Sequence, residues 1–249
     1  MSRFRRFHRR RRSGTTLVEM IVTLLLFGIM MTMVIGVLSP ASKIFIRMQR
    51  LQYAQIIVDN TVQELRGITE SAAEHIKIYE KCDSADGVTD TGGADKGLAL
   101  EFVNEEGYVV LLSSEGCPDT DVYLGETKLE TISGNDVEPG RLLVRYYVRS
   151  GSGDDYSYYY KDGSQPMVRA FSKVFADGYY MGNYVEVTFS YPPGTAVKAQ
   201  VEYLIAEIKL YRDKEKDDLL AQDSVTLDLR YAAVRHDALT ASVKAEAGP

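Results

Sequence analysis

LVEMIVTLLLFGIMMTMVIGVL, Leu17 to Leu38, is a run of 22 residues whose only charge is Glu19. A helix rises about 1.5 Å per residue, so this run can cross a hydrocarbon core of about 30 Å. No second apolar run of that length follows, and the sequence predicts a single membrane span. Upstream, the first fourteen residues hold seven arginines, Arg3, Arg5, Arg6 and Arg9 to Arg12, and no acid. Basic residues flanking a span stay cytoplasmic, which sends the C-terminal bulk across the membrane. Of the 29 lysines and arginines, 22 then remain after Gly14 against 35 acids, a balance of −13. A body this acidic argues against nucleic-acid binding through bulk charge.

Downstream of Ser39 and Pro40, larger apolar residues recur at Ile44, Met48, Leu51, Val58, Val62, Leu65, Ile76 and Tyr79. The short gaps of three, four and seven are helical, so an amphipathic helix is expected over residues 39–81, its apolar stripe packed on the domain that follows. Pro40 lacks an amide and is expected to kink or loosen the join, and Gly67 is a weak point. Residues 82–96, CDSADGVTDTGGADK, read as an exposed polar loop. Segments with strand patterns come next: LALEFV and YVVLLS around a turn at Asn104 to Gly107, then RLLVRYYV, YVEVTFSY, VEYLIAEIKLY and DSVTLDLRY. A short helix or irregular edge is expected near Val168 to Phe175, a last hairpin turn at Asp213 to Asp217, and a frayed tail beyond Ala233. The fold class is α+β, one long N-terminal helix packed on an antiparallel β-sheet body spanning 82–249.

Chemistry-bearing patterns are sparse. His8, His75 and His236 are scattered, and TGGADKG lacks the spacing and the hydroxyl of a phosphate loop. The pairs Asp154 and Asp155, and Asp217 and Asp218, read as solvated turns. The acids Asp83, Asp86 and Asp90 fail the calcium-loop pattern of an EF-hand. No catalytic residue, metal or cofactor is therefore expected. Cys82 and Cys117 are the only cysteines; outside the cytoplasm they could form one disulfide, the alternative being two separate thiols. Twelve of the seventeen tyrosines lie between Tyr146 and Tyr211. They suit either a binding surface or a sheet in which alternate rings pack inward.

The decisive cluster is Ser13-Gly14-Thr15-Thr16-Leu17-Val18-Glu19, where the basic leader meets the apolar run. It resembles the class III signal of type IV prepilins and type II secretion pseudopilins. That family has a basic leader ending in glycine and a glutamate fifth in the mature chain, which most often begins with phenylalanine. The resemblance implies a leader at 1–14, cleavage by a prepilin peptidase between Gly14 and Thr15, and N-methylation of Thr15, a departure from the usual phenylalanine. It also implies that Glu19 pairs with the N-terminal amine of a neighbouring subunit. A carboxylate inside a span costs about 3 kcal/mol or more and is usually partnered, although Glu19 lies close enough to the end of the run to reach the headgroups instead.

On this reading residues 15–38 are the membrane and assembly half of the helix. Gly28, Thr32 and Gly36, spaced by four, form a small-residue stripe of the kind that lets helices approach, or simply reflect residues common in spans. The implied partners are other pilin subunits, the peptidase, a membrane assembly platform and, before assembly, the bilayer. A body of 168 residues suits a minor subunit. The rival is an anchored or secreted extracytoplasmic binding domain, with Ser39-Pro40-Ala41 as an ordinary signal-peptidase site.

Overall fold

The computed structural model describes residues 16–83, 87–89, 95–116, 120–124, 127–133, 138–150, 157–158 and 168–236. The chain divides into two compact units, residues 1–50 and 51–249. One helix, α1 (Leu17–Thr69), contributes to both and continues through Pro40.

In the second unit the remainder of α1 is followed by strands β1 (Ala72–Tyr79), β2 (Lys81–Asp83), β3 (Gly87–Thr89), β4 (Lys96–Gly97), β5 (Ala99–Asn104), β6 (Val109–Ser113), β7 (Thr120–Leu124) and β8 (Thr127–Ile132). Then come β9 (Leu143–Tyr147), β10 (Arg149–Ser150), β11 (Ser157–Tyr158), β12 (Val168–Lys173), β13 (Tyr184–Ser190), β14 (Gln200–Tyr211) and β15 (Leu219–Arg235). Eleven of these build one sheet in the order β4-β13-β14-β15-β1-β5-β6-β9-β12-β7-β8. Its pairings are antiparallel except for β1 with β15 and β12 with β7. β4 pairs with β13 while β5, just beyond it, pairs with β1, so β13, β14, β15, β1 and β5 curl until the edges meet.

The α1 face that enters the core is Ala54, Ile57, Val58, Thr61, Val62 and Leu65, at the spacing of a helix stripe. It packs on inward residues of the sheet, among them Ile76, Leu100, Phe102, Val110, Val187 and Leu227. A second core lies on the other face of the central strands, where Tyr79, Ala99, Val103, Val109, Leu111 and Tyr147 meet Val122 and Val168. β5 and β6 are thus buried on both faces, which is why their sequences read as nearly continuous apolar runs. Tyr179, in the 3-10 turn Asp177–Tyr180, ties this turn to α1. Its hydroxyl accepts from Asn60 Nδ2 at 2.5 Å, and its carbonyl accepts from the Tyr53 hydroxyl at 3.3 Å.

Two expectations are corrected. The helix stops at Thr69, and the segment expected to carry it to residue 81 is strand β1. The Thr69 hydroxyl donates to the Leu65 carbonyl at 2.8 Å, and the Ser71 hydroxyl donates at 2.7 Å to the Ile68 carbonyl, one of the four left open at the helix end. Ile76 and Tyr79 sit three apart, a helical spacing, yet in a strand this places them on opposite faces, and each enters a different core. Val168 to Lys173 is also a strand, paired with β9, rather than a short helix. The two predicted hairpins form. In the first, Gly107 adopts φ +81° and the Tyr108 amide donates to Asn104 Oδ1 at 2.8 Å. In the second, β14 and β15 meet through the charged turn at Asp213 to Asp217. Pairing continues past Ala233 to Arg235, whose guanidinium meets Asp95 at 2.7 Å.

Candidate assembly site

Every large apolar side chain from Leu17 to Leu38 is exposed, from 40% at Val34 to 76% at Leu17. A soluble domain does not leave such a surface wet, so this segment of α1 is built for lipid or for other helices. Among the described residues it is the one helix long and apolar enough to cross a membrane.

The helix begins at Leu17, with Thr16 immediately before it. The Glu19 amide donates to Thr16 Oγ1 at 3.3 Å, and Glu19 Oε2 accepts from the Thr16 amide at 3.4 Å. This reciprocal pair is a capping box, which satisfies two of the amide donors left open at a helix start. The carboxylate also faces the positive end of the helix dipole. Glu19 therefore has a partner within its own chain. The signal for it is local: threonine followed three places later by glutamate is the sequence pattern of a capping box.

Gly14 and Thr15 lie outside the described residues, as does Cys117 with the side chain of Cys82. Gly28 and Gly36 border open space, since a Cβ on either would meet nothing within 4 Å. Nothing in their own chain demands glycine there. Thr32 satisfies its hydroxyl within the helix by donating to the Ile29 carbonyl at 2.7 Å. Gly28, Thr32 and Gly36 thus leave a shallow strip on the helix surface. Among the described residues no group of three or more His, Cys, Asp or Glu side chains could hold a metal ion.

Residues 9–35 match the family described as the prokaryotic N-terminal methylation motif. The chain carries the N-terminal signature of type IV pilins and pseudopilins. The match takes in Arg9 to Arg12, the Gly14–Thr15 step, Glu19 and most of the exposed apolar run from Leu17 to Leu38. No curated protein and no solved structure matches the chain. This pilin-type signature belongs to structural subunits, and the long apolar helix followed by a mostly antiparallel sheet agrees with it.

The tyrosines divide between the core and the surface. Tyr147, Tyr180 and Tyr191 are buried, whereas Tyr203 and Tyr231 are exposed. Tyr180 lies under Arg141, whose guanidinium carbon is 4.8 Å from its ring and which donates to the Asn183 carbonyl at 2.7 Å. A charged row on the second sheet face has no local signal in the sequence. Lys77, Glu101 and Arg145 are all buried, and the register Lys77↔Glu101↔Leu111↔Arg145 aligns them across four strands. The Tyr79 hydroxyl donates to Glu101 Oε2 at 3.0 Å, and Lys77 Nζ stands 4.9 Å over the Tyr79 ring. Burial of charge at this density requires partners of opposite sign or hydrogen bonds, which the row supplies in part from its own members.

Proposed function

We propose that this chain is a pilin-like filament subunit, cut by a prepilin peptidase after Gly14 and assembled through its apolar helix. The observation that carries the reading is the coincidence of the methylation motif with a helix whose whole apolar surface is exposed. Cleavage would remove seven arginines that hold the N-terminus on the cytoplasmic side, and would create a new ammonium group on Thr15. Among the described residues, Glu19 Oε2 accepts from the Thr16 amide. In the filament, the methylated Thr15 ammonium of a neighbouring copy would take that place. Two unit charges about 4 Å apart attract by about 4 kcal/mol at an effective dielectric of about 20, enough to offset the cost of a carboxylate among apolar helices. Gly28, Thr32 and Gly36 would let neighbouring helices approach, and the sheet body would face outward.

The size of the body suits a minor subunit, and pilus, secretion and DNA-uptake filaments share this N-terminal chemistry. A disulfide between Cys82 and Cys117 would be compatible with an exported body. The capping box favours a second reading, a single-span anchored domain in which Glu19 only closes the helix start. The N-terminal mass of the protein recovered from its host separates them. A chain beginning at methylated Thr15 is the expected result; an intact Met1 would mean a plain anchor, and a start at Ser42 a secreted body.

A further inference from the structure

Beyond the apolar run, α1 carries Lys43, Arg47 and Arg50 at i, i+4 and i+7, all exposed. That spacing gathers them into about 60° of the helix circumference. Residues 20–58 contain no aspartate or glutamate, so none of the three has a carboxylate within helix reach, in a chain that is otherwise strongly acidic. We propose that Lys43, Arg47 and Arg50 form a docking stripe for the anionic phospholipid headgroups of the leaflet from which the helix emerges. This rests on the reading of Leu17 to Leu38 as a membrane span and does not depend on later entry into a filament.

The axial positions fit. Counted from Leu38, the three residues lie about 7, 13 and 18 Å along the helix. The headgroup layer is roughly 5–8 Å deep on each side, and the long stems of lysine and arginine let their charges reach back into it. The neighbours fit as well: Ile44, Phe45 and Ile46 are 60%, 61% and 48% exposed. Ile46 flanks the basic arc on one side and Ile44 on the other. Cations interleaved with apolar side chains match the boundary between headgroups and acyl chains, where both are covered at once. A second copy of this helix is a poorer complement. Past Glu19 its acids are Asp59 and Glu64, five residues apart and so about 140° apart around the axis, which gives no stripe. An anionic leaflet needs no such register. Each cation near it strengthens association by about fivefold.

The test reconstitutes the full chain in nanodiscs of equimolar phosphatidylethanolamine and phosphatidylglycerol and weighs the lipids that stay bound on release by native mass spectrometry. The wild type should retain phosphatidylglycerol preferentially, and high salt should weaken the preference. The triple variant Lys43→Gln, Arg47→Gln, Arg50→Gln should lower that enrichment by about tenfold or more. Glutamine keeps the helix propensity of these sites, and the leader arginines are the same in both proteins. The charge-conserving variant Lys43→Arg, Arg47→Lys, Arg50→Lys should behave as wild type. Equal enrichment in the wild type and the glutamine variant would overturn the proposal. So would unchanged lipid retention combined with lost cross-linking to a second copy, which would make the stripe a protein contact. A native N-terminus at Met1 would end the filament reading and leave this result standing.

Discussion

The Thr16 amide donates to Glu19 Oε2 at 3.4 Å while the Glu19 amide donates to Thr16 Oγ1 at 3.3 Å, so the carboxylate proposed for assembly already closes the first turn of its own helix. The two roles can be separated, because glutamine also serves at this place in a capping box but carries no charge. Glu19→Gln should keep the helix start and lose the ion pair. Both Glu19→Gln and Glu19→Ala are expected to insert in the membrane and to be missing from sheared filaments. Normal incorporation of Glu19→Gln beside loss of Glu19→Ala would leave the cap as the residue's only role.

Ile56 and Ile57 are neighbours with opposite fates, 50% exposed and fully buried. Ile57→Ala removes packing against the helix-facing core and should cost about 2–5 kcal/mol. Ile56→Ala should stay within about 1 kcal/mol. Denaturant unfolding of the full chain in detergent measures both, and equal losses would contradict the placement of this helix face.

Burial pushes the Tyr180 hydroxyl up to about 12, against the opposing pull of the Leu142 amide that donates to it at 3.2 Å and of the Arg141 guanidinium. Between about pH 10 and 12 the unfolded chain releases this proton and the folded chain keeps it. Stability from this group is therefore complete below about pH 10 and falls by up to about 1.4 kcal/mol per pH unit as pH rises toward 12. Tyr180→Phe should flatten part of that decline. Burial also raises Tyr146 and Tyr211, and some slope will remain. At neutral pH the variant should lose about 1–3 kcal/mol, since the buried Leu142 amide is left without its acceptor. Unfolding midpoints measured from about pH 8 to about pH 12 give the same slope for both proteins only if the Tyr180 assignment fails.

Gly97 sits where β4 crosses the end of β1. A Cβ there would lie 1.9 Å from the Tyr79 carbonyl oxygen and 2.9 Å from Ile78 Cγ2. Gly97→Ala must push backbone against backbone, so it should cost about 3 kcal/mol or more and open the pairing of β4 with β13. Hydrogen exchange of β13 reads this directly. Unchanged protection there would show that the edge closes without Gly97.

The parts of this protein that were legible are those whose signal is local. The hairpin at Asn104 to Gly107 and the charged turn before β15 were visible because turn chemistry and alternation lie within a dozen residues of each other. The end of α1 was not, because Ile76 and Tyr79 satisfy a helical spacing as well as a strand pattern. What decided for the strand was pairing: β1 joins β5 on one side and, in parallel, β15 on the other, through His75↔Val234 and Ile76↔Arg235. At the candidate site, the leader, Glu19 and the apolar run were legible as a resemblance, whereas the capping box needed atomic distances to be recognised.

Taken alone, the order of residues determined the apolar helix, its flanking charge asymmetry and the methylation motif, since a span depends on length and hydrophobicity within one continuous segment. Only the tertiary structure decided that β5 and β6 are covered on both faces and that Lys77, Glu101 and Arg145 share one buried row. Which face of a strand is covered, and by what, depends on contacts between segments far apart in the chain, and local patterning carries no record of them.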